Sequence, residues 1–379
     1  MVEPTYQSRI GALAVQRLFI LAYIWVAGEY LARSFAKGMY EHAMQWPRHA
    51  PVDDSTRFKT WDAAHYLAKA VGGDAPTPMS DAFYPLWPAL IRVGMWLTDP
   101  LTAALVLANL FTVAGVILLW RAVAARLDDV HADAAAMILL AYPAAFYLAL
   151  PYSEALFFAL SAGFFHELGR NKPWNAAMIG AIMPLVRPPG HFISIIFGIH
   201  LLLVWYRERG SLVRTLAPLS LTAMGSLCFF GVETIQTGTP FAAFEAQKGY
   251  ITGAKLSNLW HPVSAWNQFW DVHEIARRGF KTAPQDRVAF ALTVITLPTL
   301  WRLDKTWFAW VVWMGIIPPI TANFMSGMRY ELLAWPVFVA MATWVARPSR
   351  RPWLWLLLAV FGTFQVLFLT MHTLHEWVG

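Results

Sequence analysis

The chain has little charge, a single cysteine and none of the common nucleotide-binding or hydrolase signatures. Only 14% of its 379 residues are charged, against about a quarter in an average soluble domain, which excludes an ordinary soluble fold. The one cysteine, Cys228, lies in an apolar run, so no internal disulfide can form and the redox compartment leaves no mark. There is no Walker A run, no GxGxxG, no HExxH and no GxSxG between strand and helix. Hydrolases and nucleotide-driven pumps therefore lack support. Short repeats, low-complexity tracts and a separate soluble domain are also missing.

What is present is hydrophobicity, at 58% of residues, with 20 Trp and 12 Tyr that suit aromatic belts at membrane surfaces. Several apolar runs reach or approach the roughly 20 residues that cross a bilayer, without the alternation of a β-barrel. The pattern predicts an all-α polytopic membrane protein, one transmembrane domain over 1–379. About eleven spans are expected, at roughly 12–33, 101–120, 134–150, 152–168, 174–190, 191–206, 212–236, 286–303, 306–323, 330–346 and 353–375. Gly11–Leu31 reads as a retained span rather than a cleaved signal. Arg121, Arg126, Arg170, Lys172, Arg207, Arg302 and Arg350 then fall in short loops on one side, which marks that side as cytoplasmic. The net charge of +6 is spread over such loops and orients helices rather than binding nucleic acid. This topology puts a long first outer loop at 34–100, carrying short amphipathic helices, and a second long outer loop at 237–285. It requires Phe83–Leu97, broken by Pro85 and Pro88, to lie along the membrane or dip into it without crossing.

The polar and ionisable residues near membrane depth gather on the outer side, where their cost marks a site. Asp62 sits beside Trp61, His65 and Tyr66 in a helix-like run, Phe58–Val71, and could take a proton from a hydroxyl nucleophile or simply serve as a helix N-terminal charge. Tyr152, Ser153 and Glu154 open a span, with Ser153 as its cap and Glu154 either at its positive end or on a substrate. Arg187, before a Pro188-Pro189-Gly190 break, and Arg329, beside Tyr330, suit phosphate recognition or interfacial snorkelling. Gln247 in the second long loop could bond sugar hydroxyls. Asp53 and Asp54 read as a solvated turn, and His372 with His375 as an incomplete metal pair.

Taken in order, these segments resemble the PIG-V-type mannosyltransferase family, including its prokaryotic relatives. The matching pieces are Trp61-Asp62-Ala63-x-His65-Tyr66, Ala82-Phe83-Tyr84-Pro85-x-x-Pro88 and Tyr142-Pro143-Ala144-Ala145-Phe146-Tyr147. Further on come Pro151-Tyr152-Ser153-Glu154-Ala155-Leu156, Arg187-Pro188-x-Gly190, Gly238-Thr239-Pro240-Phe241-x-x-Phe244 with Gln247, and Ser326-x-x-Arg329-Tyr330 with Pro336. The pattern is departed from at Gly72-Gly73 and at Met79-Ser80-Asp81.

The resemblance implies a GT-C glycosyltransferase fold, with an essential acid in the first outer loop and a polyprenyl-phosphate-linked sugar, mannose in this family, as donor. It implies a bacterial inner (plasma) membrane protein with its active site on the outer face and a lipid or glycan acceptor. Asp62 matches the essential acid. Arg329 and Arg187 become expected ligands of the donor phosphate, and Trp61, His65, Tyr84, Tyr152, Glu154, Gln247 and Tyr330 expected substrate contacts. No cofactor is expected: a divalent metal is compatible with such a site, but a phosphate leaving group does not require one. The competing class is a flippase or transporter of a lipid-linked sugar, which would also need polar groups in the membrane.

Overall fold

The computed structural model describes residues 6–31, 45–47, 50, 51, 53, 55–73, 78–248, 259–270, 284–321, 324, 326–374 and 378. Among the described residues every regular element is helical and there is no strand. In chain order the helices are α1 Tyr6–Leu31, α2 Asp62–Val71, α3 Leu86–Gly94, α4 Pro100–Ala124, α5 Asp129–Ala141, α6 Glu154–Gly169, α7 Pro173–Ile182, α8 Ile193–Glu208 and α9 Leu212–Leu216. They continue with α10 Leu219–Thr237, α11 Ala242–Lys248, α12 Pro262–Phe269, α13 Pro284–Leu303, α14 Lys305–Val311, α15 Ile317–Thr321, α16 Gly327–Leu333, α17 Pro336–Val345 and α18 Arg351–Thr373.

Four helical stretches among the described residues are long and apolar enough to cross a bilayer: Pro100–Ala124, Pro188–Glu208, Leu212–Thr237 and Pro348–Thr373. Gly11–Val26 and Pro336–Val345 are shorter apolar helices. The chain is an all-α membrane protein. The runs expected at 152–168 and 286–303 are also continuous helices, α6 and α13, whereas others are interrupted, and proline is a common reason. The run expected at 134–150 is helical only to Ala141, because Tyr142 turns to extended backbone before Pro143. The chain resumes as a tight 3₁₀ turn over Ala145–Ala149. After α7 the chain tightens to a 3₁₀ turn over Met183–Leu185 that contains Pro184, then Arg187 turns to extended backbone before Pro188, and a π-helical turn over Val312–Ile316 joins α14 to α15.

The segment Phe83–Leu97 contains only α3, about 13 Å long at 1.5 Å per residue, too short for a hydrocarbon core of about 30 Å. Its inner face is held by Trp87, which is fully buried and donates Nε1–H to Pro151 O at 3.3 Å. Trp96 is exposed. Trp87 is thus a packing residue of the bundle, and only Trp96 is placed to meet lipid.

The centre of the bundle is α6, whose residues are almost all buried. It packs most extensively on α4 and also on α7. The α4–α6 approach is close at Gly115, where a Cβ would stand 2.6 Å from Phe158. On α10, a Cβ at Gly225 would meet Ala181 O of α7. Small residues let membrane helices approach where the hydrophobic effect gives no drive. Glu154 therefore opens the helix at the centre of the described bundle. The other end of the bundle carries the basic loops: Arg126 is ion-paired with Asp304, and His200 Nδ1 is 3.1 Å from Thr306 Oγ1.

Candidate active site

Asp62 is the first residue of α2, so its carboxylate lies at the positive end of the helix dipole. The preceding Trp61 has φ +56°, a left-handed conformation that is unfavourable for a large side chain. Such strain persists only where surrounding structure enforces it. Gly72 ends the helix with φ +71°, and Arg92 of α3 donates to Ala70 O (2.7 Å) and Lys69 O (3.2 Å). α2 is therefore fixed at both ends.

Arg329 arrives from the far end of the sequence. Its helix α16 starts after Ser326, another residue with positive φ (+63°). Met328 N–H donates to Asp286 Oδ1 at 3.1 Å, and Tyr142 Oη donates to Glu331 Oε2 at 2.6 Å. These two buried hydrogen bonds set the rotation of α16, and Arg329 then points at the acids of α2 and α6.

The result is a chain of alternating charges. Arg329 Nη2 donates to Asp62 Oδ2 at 2.6 Å, and Nε donates to Glu154 Oε1 at 2.8 Å. Arg329 Nη2 also contacts Glu154 Oε1 directly. Arg187 Nη1 pairs with Glu154 Oε2 at 2.8 Å and donates to Ser153 Oγ at 3.1 Å. Tyr66 Oη lies 2.7 Å from the same Ser153 oxygen. The Arg329 guanidinium lies over the rings of Tyr147 (4.7 Å) and Tyr152 (5.2 Å). Two carboxylates thus balance two guanidiniums. Glu154 is wholly buried and bridges both arginines, whereas the Asp62 side chain retains 24% exposure. Asp62 Oδ1 has no hydrogen-bond partner among the described residues. Arg187 also keeps capacity: its Nε is buried without a partner.

Asp62, Glu154, Arg187, Arg329 and Tyr152 are therefore one assembly. Ser153, expected as a helix cap, makes no capping bond and instead links Arg187 to Tyr66, because its hydroxyl faces the guanidinium. His65 stacks on Phe83 at 4.2 Å and its Nδ1 lies 2.7 Å from Ser80 Oγ, tying α2 to the 78–82 turn. Tyr84 is buried against Phe229 (4.4 Å), Tyr330 is half-buried beside the cluster, and Gln247 is on α11, which packs on the 78–82 turn. Asp53 is a turn acid accepting from Ser55 N–H at 2.8 Å. Asp54 and His375 lie outside the described residues. His372 is buried near Tyr147 and Tyr152, so the end of α18 reaches this same face. Tyr147 and Ser80 were not expected at the site, and Tyr66 was expected only as a neighbour of Asp62. Tyr147 lay in view within the Tyr142–Tyr147 motif, whereas nothing in sequence pairs Tyr66 with Ser153.

Burial pushes the His65 imidazole down to about 4, outweighing the opposing pull of Asp62. The folded state then binds fewer protons than the unfolded state between about pH 6.5 and pH 4, so stability falls as pH is lowered through that window. We expect a loss of up to about 3 kcal/mol from this group. His65→Gln, which can still bond Ser80, should flatten that part of the curve in thermal unfolding followed against pH. An unchanged slope would assign the acid sensitivity to other groups.

A family model described as Mannosyltransferase (PIG-V) matches residues 54–258, more than half of the chain. The chain belongs to the mannosyltransferase (PIG-V) family. The matched segment holds Asp62, Glu154, Arg187 and Gln247. Arg329 lies beyond it, and only the fold returns it to Asp62 and Glu154. Among curated proteins, the chain is 32% identical over 197 residues to the human protein named GPI alpha-1,6-mannosyltransferase 2 and 30% identical over 197 residues to that of Cricetulus griseus. Each match covers 49% of this chain and 39% of the relative. The Mus musculus protein of the same name is 29% identical over 292 residues, 65% of this chain and 57% of that protein.

Proposed function

We propose that this chain is an inverting glycosyltransferase that moves a mannosyl group from a polyprenyl-phosphate-linked donor to a hydroxyl of a lipid-linked or glycan acceptor. The observation that carries the reading is the half-engaged Asp62: one oxygen is held by Arg329 and the other is open. Fixing one oxygen orients the carboxylate, and the other can accept the acceptor's proton. As the acceptor oxygen bonds to the anomeric carbon, the bond from that carbon to the phosphate oxygen breaks. The electron pair leaves with the polyprenyl phosphate, which needs charge stabilisation more than a proton. Arg187, with spare N–H groups, is suited to receive it, while Arg329 holds Asp62. Glu154 holds both arginines and is a positioning residue.

The wider topology belongs to this reading. The four long apolar helical stretches overlap four of the eleven expected spans, and the basic loops gather at the end of the bundle away from Asp62. This favours an outer-face site with the N-terminus inside and the C-terminus outside. The membrane would be a bacterial inner membrane.

Donor dependence tests the proposal. In liposomes, wild-type protein is expected to transfer labelled mannose from polyprenyl-phosphate mannose and not from a nucleotide-linked sugar. Arg187→Ala should raise the donor KM about ten- to a hundred-fold, the cost of one charged hydrogen bond, with the acceptor KM little changed. An unchanged donor KM would remove Arg187 from phosphate binding. Movement of the donor across the bilayer without a new glycosidic bond would establish the flippase reading instead.

A further inference from the structure

The outer loop between α10 and α13 contains α12, and the helix with its immediate flanks sets four large apolar side chains in the open. Trp260 is 84% exposed, Val263 68%, Trp266 63% and Trp270 57%. Three of them, Val263, Trp266 and Trp270, share one side of the helix at helical spacing. The adjoining side is pinned: Phe269, whose ring also meets Trp270 at 4.9 Å, packs edge-on against Phe324 at 5.4 Å, and Arg287 Nε donates to Phe269 O at 2.7 Å. A soluble protein would not leave three tryptophans of one short segment in water. The neighbours indicate what covers them. Val288 of α13, next to the Arg287 that holds Phe269, is also exposed, so the apolar face of α12 adjoins an exposed apolar side of a helix packed in the bundle.

We infer that α12 lies in the headgroup layer of the bilayer, tryptophan face inward, and acts as a lipid-seated rest for the active site. Indole suits that depth, with an apolar body and one N–H donor. The seat is linked to the site by a short path. Arg287 holds Phe269 and its guanidinium lies over the Phe324 ring at 5.3 Å. The adjacent Asp286 accepts from Met328 N–H, one residue before Arg329. Displacement of α12 would therefore shift the start of α16, and Arg329 with it. Tryptophan 260, 266 and 270 are positioning residues on this account, not catalytic ones.

The lipid seat is testable without any assay of transfer. The chain has one cysteine, so Cys228→Ser gives a clean background. Val263→Cys and Trp266→Cys would each carry a nitroxide in phosphatidylcholine–phosphatidylglycerol vesicles, with Glu208→Cys as an aqueous reference. The ratio of oxygen to nickel-chelate accessibility should be several-fold higher at 263 and 266 than at 208. A ratio equal to that at 208 would place α12 in water, and low access to both reagents would place it under protein; either overturns the seat. The kinetic consequence rests on the transferase reading. Trp260→Ser/Trp266→Ser/Trp270→Ser should lower kcat several-fold with a long-chain and with a short-chain soluble polyprenyl donor alike, because both need the Asp62 that Arg329 holds, while KM for the short-chain donor stays unchanged. A wild-type kcat with both donors, or a loss confined to KM for the long-chain donor, with the nitroxide result intact, would remove the link to Arg329 and leave the seat standing.

Discussion

Asp62→Asn is expected to lower sugar transfer by about 10²- to 10⁴-fold, the range lost with a positioned general base, while the protein folds and binds donor as before. Asparagine has the shape of aspartate, and its amide oxygen can still accept from Arg329, so the orientation of the side chain survives. What it cannot do is take a proton from the acceptor. The loss should therefore fall on kcat, with KM for donor nearly constant, because the donor phosphate is assigned to Arg187. Asp62→Glu moves the carboxylate by one methylene and should retain part of the rate. A kcat equal to wild type in Asp62→Asn would exclude this residue as the base.

Glu154→Gln should damage both stability and activity, for a different reason. The Glu154 carboxylate has no exposure and faces two guanidiniums at once. Neutralising it leaves one buried positive charge without compensation. Breaking a buried pair in this way costs about 3–5 kcal/mol, visible as a lower melting temperature in detergent. Arg329 would then lose one of its two carboxylate partners among the described residues and hold Asp62 less firmly in place. Any folded Glu154→Gln protein should therefore show a reduced kcat as well. Glu154→Asp would keep the charge and lose reach, and its melting temperature should fall less. Wild-type stability in Glu154→Gln would mean that the two arginines find other partners in the bundle.

Much of this architecture was legible in the amino-acid order. Apolar runs and short basic loops gave an all-helical membrane protein, and the acids and arginines of the site all stood in segments expected on one face. The interruptions were harder to read. Hydropathy scores a 3₁₀ turn such as Ala145–Ala149 the same as an α-helix, so the run at 134–150 looked continuous although Pro143 divides it. Partnership was harder still. Glu154 and Arg329 are 175 positions apart, Tyr142 and Glu331 are 189, and no local pattern joins them. Glu154 read equally as a helix-end charge or a substrate contact; only the fold shows that it is occupied by arginine. Ser153 looked like a cap because serine before a helix usually is one, yet its hydroxyl faces Arg187. Asp62 was readable as the key acid by resemblance, but the division of its two oxygens, one held and one open, depends on α16 reaching back across the bundle.

The most direct test is formation of the glycosidic bond itself. Purified protein in sealed liposomes, given labelled polyprenyl-phosphate mannose and a mixed lipid and glycan acceptor pool, should convert donor label into a new mannoside of opposite anomeric configuration. Asp62→Asn at equal protein should leave the label on the donor. A mannoside formed equally well by both proteins, or one that keeps the donor's configuration, would contradict a single displacement with Asp62 as its base.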